Sequence, residues 1–509
     1  MRYFQAESLP RGGIHGSHWC RRLPRCRQDQ EFEGELGQRP LPRSGGKPIP
    51  PPPEPGLPAG SCQAFRLTVL SPPIAVRCGT GRRLETISLI HTEAKRRVAI
   101  TGVGMVTSVG LDADDTWAAL LRGESGAGPI TQFDPSGQPV RFACEVKGFD
   151  PLEYLDRKGA RRADRFLQLA IAAATQAMEQ AGFGDGLAHL PPDRTGVVVG
   201  VAVGGLPLLE AQHRKLLARG PRAVSPLLIP MFIPDMTVGL LSILYGARGP
   251  NYAAVSACAS GGHSLGLAFR SIRRGETDVM IAGGTESAIT PLAVAGFASM
   301  GSMSTRNDDP ERACRPFDAR RDGFVLGEGS GMLILEELEH ARARGAEILG
   351  ELAGFGQSAD AYHMTAPAPD GVGARLAMQQ ALEDAGLTAG DIGYINANGT
   401  ATPVGDAAET QAIKEVLGDH ARSIVVGATK SMTGHPLGAA GGIEAVISML
   451  VCRHGVIPPT INFEEADPEC DLDYAHAGPI ERPVSAALSN SFAFGGHNAC
   501  LAIRRWDDN

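Results

Sequence analysis

From Arg96 onward the chain alternates short apolar runs with longer stretches whose apolar residues recur at helical spacing. Val98-Ala-Ile100 before Gly102 and Gly104, Gly196 to Gly200, Asp278 to Gly284, and Tyr394 to Ala397 are short and almost wholly apolar, as strands buried on both faces are. Each is expected to close in a glycine turn. Arg165 to Ala181 sets Phe166, Leu169, Ile171 and Met178 among many alanines, which predicts a close-packing helix stopped by Gly182. Arg375 to Ala385 repeats the scheme with Leu376, Met378 and Leu382, and Gly386 as the stop. Strands feeding helices predict an α/β layered fold, and the repetition predicts a duplicated architecture.

Residues 1–95 break this pattern. They are rich in Arg and Pro, including Pro48 and Pro50 to Pro53, and carry no sustained period of 3.6 or 2. A disordered extension or an over-long start is expected there; Glu31, Glu33 and Glu35 and the scarcity of Ser speak against a transit peptide. The whole chain has 509 residues, 43% hydrophobic and 20% charged, with a formal net charge of -8. No run of Lys or Arg crosses its body, so nucleic acid is not expected as a partner. No window approaches the ~18 consecutive apolar residues of a membrane span, and a cytoplasmic protein is expected. Of ten cysteines, Cys20, Cys26, Cys62 and Cys78 lie in the extension and the others are scattered without a C-x-x-C pair. Reduced thiols and no metal site follow. Gly102-Val-Gly104 lacks the third glycine of a dinucleotide fingerprint, since Thr107 stands in its place, and no acidic residue closes a following strand.

The strongest chemical signal is Val255-Ser-Ala-Cys258-Ala-Ser-Gly-Gly262, a strand running into a turn and then a helix carrying Leu265, Leu267, Phe269 and Ile272 up to Gly275. A thiol at a helix start faces the positive end of the macrodipole, which favours thiolate and makes Cys258 a candidate nucleophile. A buried inert cysteine is the competing account. Three polar, glycine-punctuated loops accompany it: Asn396 to Asp406, Thr429 to Gly438 with Lys430 and His435, and Asn490 to Asn498 with Phe494. Ser304-Thr-Arg306-Asn-Asp308, Arg315-Pro-Phe-Asp318, Arg321 to Gly329 and Asp360 to Thr365 complete an ordered set.

With these segments the chain from Arg96 to Arg505 resembles a beta-ketoacyl-acyl carrier protein synthase of the elongating type. The resemblance implies a thiolase-like α/β fold of duplicated halves in five αβαβα layers, with the nucleophile in 96–347 and the polar loops in 348–509. It implies acyl transfer to Cys258, then decarboxylative Claisen condensation with malonyl-acyl carrier protein, in fatty acid or polyketide elongation. No tightly bound cofactor is implied; the substrate rides on the phosphopantetheine arm of an acyl carrier protein, and the enzyme is a homodimer. His435 corresponds to the second active-site histidine, Lys430 to the lysine that organises the site, and Glu409 and Asp406 to its supporting acids. The N–H groups of Cys258 and Phe494 correspond to the oxyanion hole, and Phe494 to a gate followed by Gly495 and Gly496. Thr400 and Thr402 would hold the pantetheine arm, Thr365 and Phe492 would also touch substrate, and Val203 would form the acyl-pocket wall. Arg306 is a candidate for the carrier contact, or else an ion-pair partner of Asp308 or Asp318.

One position departs from the pattern. The first catalytic histidine is replaced by Asn398, which can donate and accept hydrogen bonds but cannot act as a base near neutral pH. The alternative function is therefore an acyltransferase or loading protein, or a condensation-impaired partner.

Overall fold

The computed structural model describes residues 96–184, 186 and 192–507. The expectations for 1–95, including its four cysteines, lie outside the described residues. The main sheet contains β1 (Val98–Val106), β2 (Thr195–Gly200), β3 (Asn251–Ala254), β4 (Val279–Glu286), β5 (Gly329–Glu337), β6 (Gly350–Ala359), β7 (Ile392–Asn396), β8 (Val425–Gly427), β9 (Ala486–Ala493) and β10 (His497–Arg504). Their spatial order is β8-β7-β9-β10-β6-β1-β5-β4-β2-β3. Read outward from the centre, the first half runs β1, β5, β4, β2, β3 and the second runs β6, β10, β9, β7, β8, the same sequence of ranks. The directions match too, since β2 runs parallel to β3 and β4 while β5 is antiparallel to β4 and β1, and the second half repeats this. The halves join where Val98–Ile100 pairs antiparallel with Gly350–Leu352.

Helices complete the layers: α1 (Arg165–Gln180), α2 (Met236–Tyr245), α3 (Ser260–Arg273), α4 (Val372–Ala385), α5 (Pro403–Leu417) and α6 (Ala440–His454). α1 and α2 cover one outer face, α4 and α5 the other, and α3 and α6 pack on each other between the two half-sheets. This is the five-layer αβαβα arrangement of the thiolase fold. Leu265, Phe269 and Ile272 of α3 and Ile443, Val446 and Ile447 of α6 form its centre with Leu333, Leu335, Phe355 and Leu501. The helical stretch Leu437–His454 is long and apolar enough to cross a membrane, a segment the sequence reading passed over; 89% of it is buried within the fold. It is a core helix, apolar over most of its surface because protein surrounds it.

Gly102 and Gly104 correct the expectation of a turn. Both lie inside β1, where added Cβ atoms would stand 2.1 Å from the Ala177 carbonyl oxygen and 1.9 Å from that of Ala173, on α1. In β6, Gly354 and Gly356 face Ala381 and Ala377 of α4 in the same way, at 2.4 and 1.9 Å. Glycine in the strand and alanine in the helix let backbone approach backbone, so the motif marks layer contact in each half.

Candidate active site

β3 ends at Ala254, four residues before Cys258, and the chain reverses sharply there: Ala257 has a φ of 50°, a left-handed conformation rare for a residue with a Cβ. The Ser260 hydroxyl fixes the turn, accepting the Ser256 N–H at 2.9 Å and donating to the Ala257 carbonyl at 2.6 Å. Gly200 admits this turn against β2, because a Cβ there would stand 2.2 Å from the Ser260 backbone. The half-buried thiol of Cys258 thus meets His435, whose Nε2 lies 3.0 Å from Sγ.

The expected macrodipole effect is outweighed. α3 begins at Ser260 with Ala259 as its cap, so Cys258 precedes the helix. Burial pushes its thiol up to about 12, against the pull of the Lys430 charge. Burial, aided by Lys430, also holds His435 well below the usual histidine range. Burial thus favours the uncharged thiol beside an uncharged imidazole. The His435 backbone is clamped to the segment 325–327, donating to the Val325 carbonyl at 2.7 Å and accepting the Gly327 N–H at 3.0 Å. Its ring meets Phe324 edge-on at 5.4 Å, and Nδ1 is buried without a hydrogen-bond partner.

Asn398 follows β7. Its backbone N–H and that of Gly399 donate to the Glu409 carboxylate, each at 2.9 Å, and Asn490 Nδ2 donates to the same group at 3.0 Å. Its side-chain Oδ1 accepts the Phe492 N–H at 3.1 Å, which leaves the Asn398 NH2 as a donor facing the cavity. Lys430 and Glu409, which would look like solvated charges in isolation, are both buried. Lys430 Nζ pairs with Glu444 at 2.5 Å, and burial raises Glu444 to about 7. Asp406, raised by burial to about 7, accepts the Phe317 N–H at 2.8 Å and lies 3.6 Å from Arg321. Arg321 also donates to the carbonyls of Thr402 and Pro403, at 3.3 and 2.8 Å.

One cavity of about 380 Å³ gathers Cys258, His435, Asn398, Thr365, Thr400, Thr402, Phe492 and Phe494. The Thr400 and Thr402 hydroxyls stand 3.1 Å apart on its wall. Past Phe494 the backbone is left-handed at Gly495 and Gly496, φ 81° and 69°, and the Gly495 N–H donates to the Met364 carbonyl at 2.7 Å. Lys430, Asp406, Val203 and Arg306 do not line the cavity. Val203 packs in the apolar cluster behind Cys258. Arg306 pairs with neither Asp308 nor Asp318; its acidic neighbour is Asp322 at 3.7 Å, and it donates to the Arg320 carbonyl at 2.9 Å. Among the described residues no group of acidic, His or Cys side chains is arranged to hold a metal ion.

Models of the beta-ketoacyl synthase N-terminal and C-terminal domains match residues 95–341 and 349–464. The chain belongs to the beta-ketoacyl synthase family. It is 52% identical over 412 residues to a 3-oxoacyl-[acyl-carrier-protein] synthase 2 of Synechocystis sp., and 49% identical over 411 residues to one of Coxiella burnetii; each alignment takes in 81% of this chain and 99% of the relative. A beta-ketoacyl synthase structure from Burkholderia phymatum superposes with a TM-score of 0.75 at 37% identity, covering 81% of this chain and all of that one. A type II polyketide acyl carrier protein in complex with its ketosynthase, bound to the hexaketide, is similar at 32% identity and TM-score 0.74, with 81% of this chain and all of that one covered. The synthase is accordingly a condensing enzyme of the acyltransferase class.

Two buried acids of the synthase escaped the sequence reading. Glu444 is a lone acidic residue within the apolar run of α6, and Glu286 closes the apolar strand β4; a charge set in an otherwise apolar element was the signal for both.

Proposed function

We propose that this synthase takes an acyl group from an acyl carrier protein onto Cys258 and condenses it with malonyl-acyl carrier protein. The convergence of Cys258, His435 and Asn398 on one cavity carries the reading. In the first step Sγ attacks the acyl thioester, the carbon–sulfur bond to the pantetheine arm breaks, and His435 Nε2 relays the thiol proton to the departing sulfur. The backbone N–H groups of Cys258 and Phe494 serve as the oxyanion hole, with Thr365, Thr400, Thr402 and Phe492 against the arm. In the second step malonyl-carrier loses carbon dioxide, and the enolate is stabilised at its thioester oxygen by two donors, His435 Nε2–H and the Asn398 NH2. The resulting carbanion attacks the Cys258 thioester, the bond from the acyl carbon to Sγ breaks, and the leaving thiolate takes a proton from solvent as the 3-oxoacyl-carrier forms. Because Nδ1 of His435 has no hydrogen-bond partner among the described residues, neither tautomer is pinned, and one ring can accept in the first step and donate in the second.

Asn398 in the place of the first histidine is, on this reading, a donor fixed by the Phe492 N–H, and no general base is required at that position. The loading-only and condensation-impaired alternatives find no support among the relatives. We also propose that the enzyme acts as a homodimer in the cytoplasm, with the halves dividing between β5 and β6.

The test follows three signals separately: covalent acylation of Cys258, carbon dioxide release and 3-oxoacyl product. The native enzyme is expected to give all three. Asn398→Ala should lose about 10²-fold or more in carbon dioxide release while acylation persists, and Asn398→His should stay within about tenfold of native. Acylation without product by the native enzyme would overturn the condensing role, and absence of acylation would overturn Cys258 as nucleophile.

A further inference from the structure

Glu286 ends β4 fully buried, and among the described residues no cation pairs with its carboxylate. Its hydrogen bonds come from main chain. Oε2 accepts the N–H of Ala202 at 2.8 Å and of Val203 at 3.1 Å, and Oε1 accepts that of Gly204 at 3.0 Å. Burial raises its carboxyl to about 7 while these N–H groups and that of Gly438 favour the charged form, and a Cβ at Gly438 would stand 2.9 Å from Oε2. One carboxylate therefore ties together two separate segments, 202–204 and the turn that follows His435.

Those segments meet at the apolar cluster behind the cavity. Val203 and Leu437 share an apolar cluster with Cys258 and Phe297, and the last three line the cavity. An unpaired buried carboxylate is a costly device, and an apolar residue would fill the end of β4 at lower cost. What only an acceptor with two oxygens can do is hold several converging N–H groups at once; a carboxamide would turn its NH2 against one of them.

We propose that Glu286 is a positioning residue that fixes the segment at Val203, packed behind the cavity, against the His435 turn and so sets which acyl chains reach Cys258. The proposal rests on Cys258 being the acylated nucleophile. Native enzyme, Glu286→Gln and the shorter Glu286→Asp are supplied with acetyl-, octanoyl- and palmitoyl-carrier protein, and Cys258 acylation is followed by intact mass. The ratio of kcat/KM for palmitoyl over acetyl is expected to change about tenfold in Glu286→Gln, the effect of losing one hydrogen bond to a charged group. Val203→Ile, which leaves the carboxylate in place, is expected to move the same ratio. An unchanged ratio in either Glu286 variant that folds, with all donors slowed alike, overturns the proposal. So does an unchanged ratio in Val203→Ile, even where both Glu286 variants fail to fold. Absence of acylation in the native enzyme would instead refute the assignment of Cys258, which the native arm reads on its own.

Discussion

At the scale of single residues, the site sets a half-buried thiol between opposing charges. Burial raises the Cys258 pKa most, Lys430 lowers it, and Glu286 and Glu444 raise it less. Removing Lys430 must raise the thiol pKa further, and removing the Glu444 charge must lower it. Iodoacetamide alkylation of Cys258 at a fixed pH near 8.5 should therefore slow by about tenfold in Lys430→Met, roughly one pKa unit, and quicken in Glu444→Gln. Opposite signs are the point, since general loosening of the site would expose the thiol and quicken both. The same residues show where sequence reading reached and where it stopped. Cys258, His435 and Asn398 announced themselves through local motifs, but Lys430 and Glu409 look like surface charges in a string of letters. Their burial is decided by packing against α6, whose Glu444 lies 14 residues beyond Lys430, and β9, whose Asn490 lies 81 residues beyond Glu409. The macrodipole at Cys258 is a local property and could be anticipated; the desolvation that overrides it depends on Phe324, His435 and Leu437 closing the cavity, and could not.

At the scale of elements, strand and helix periodicity identified the main layers, while the glycines were ambiguous. Gly102 and Gly104 carry the same letters whether they make a turn or a close contact, and only the facing alanines of α1 separate the two. The repeat of this contact at Gly354 and Gly356 makes it a property of the fold's design and gives a direct test. Gly104→Ala and Gly356→Ala each drive a Cβ to 1.9 Å from a helix carbonyl oxygen, backbone that cannot rotate away. Each should destabilise the protein by about 3 kcal/mol, the upper end of ordinary overpacking. Gly137→Ala, with nothing within 4 Å of its Cβ, should leave the urea midpoint nearly unchanged. Equal loss in all three would show that backbone freedom, rather than layer contact, fixes these positions.

At the scale of the whole molecule, the two ends of the main sheet differ. The end at β8 is buried and closed, with Val426 donating to the Asp473 carbonyl at 2.8 Å. The end at β3 is open: Asn251 and Tyr252 are exposed, and Val255 just beyond the strand and Ile243 and Leu244 on α2 add apolar surface beside it. A bare edge flanked by apolar side chains invites another strand, and in the proposed homodimer pairing β3 with β3 of the second copy would close both edges under a two-fold axis. The open edge also leads within four residues to Cys258, so the partner would brace the strained turn at Ala257 that aims the thiol. Tyr252→Asp combined with Val255→Asp should halve the mass seen by light scattering, because two carboxylates would be buried across the axis from their own copies. If the second copy braces the turn, Cys258 acylation falls with the mass and recovers as protein concentration is raised. A monomeric native enzyme would refute the pairing, and a monomeric variant that acylates at the native rate would show that each subunit holds its nucleophile in place unaided.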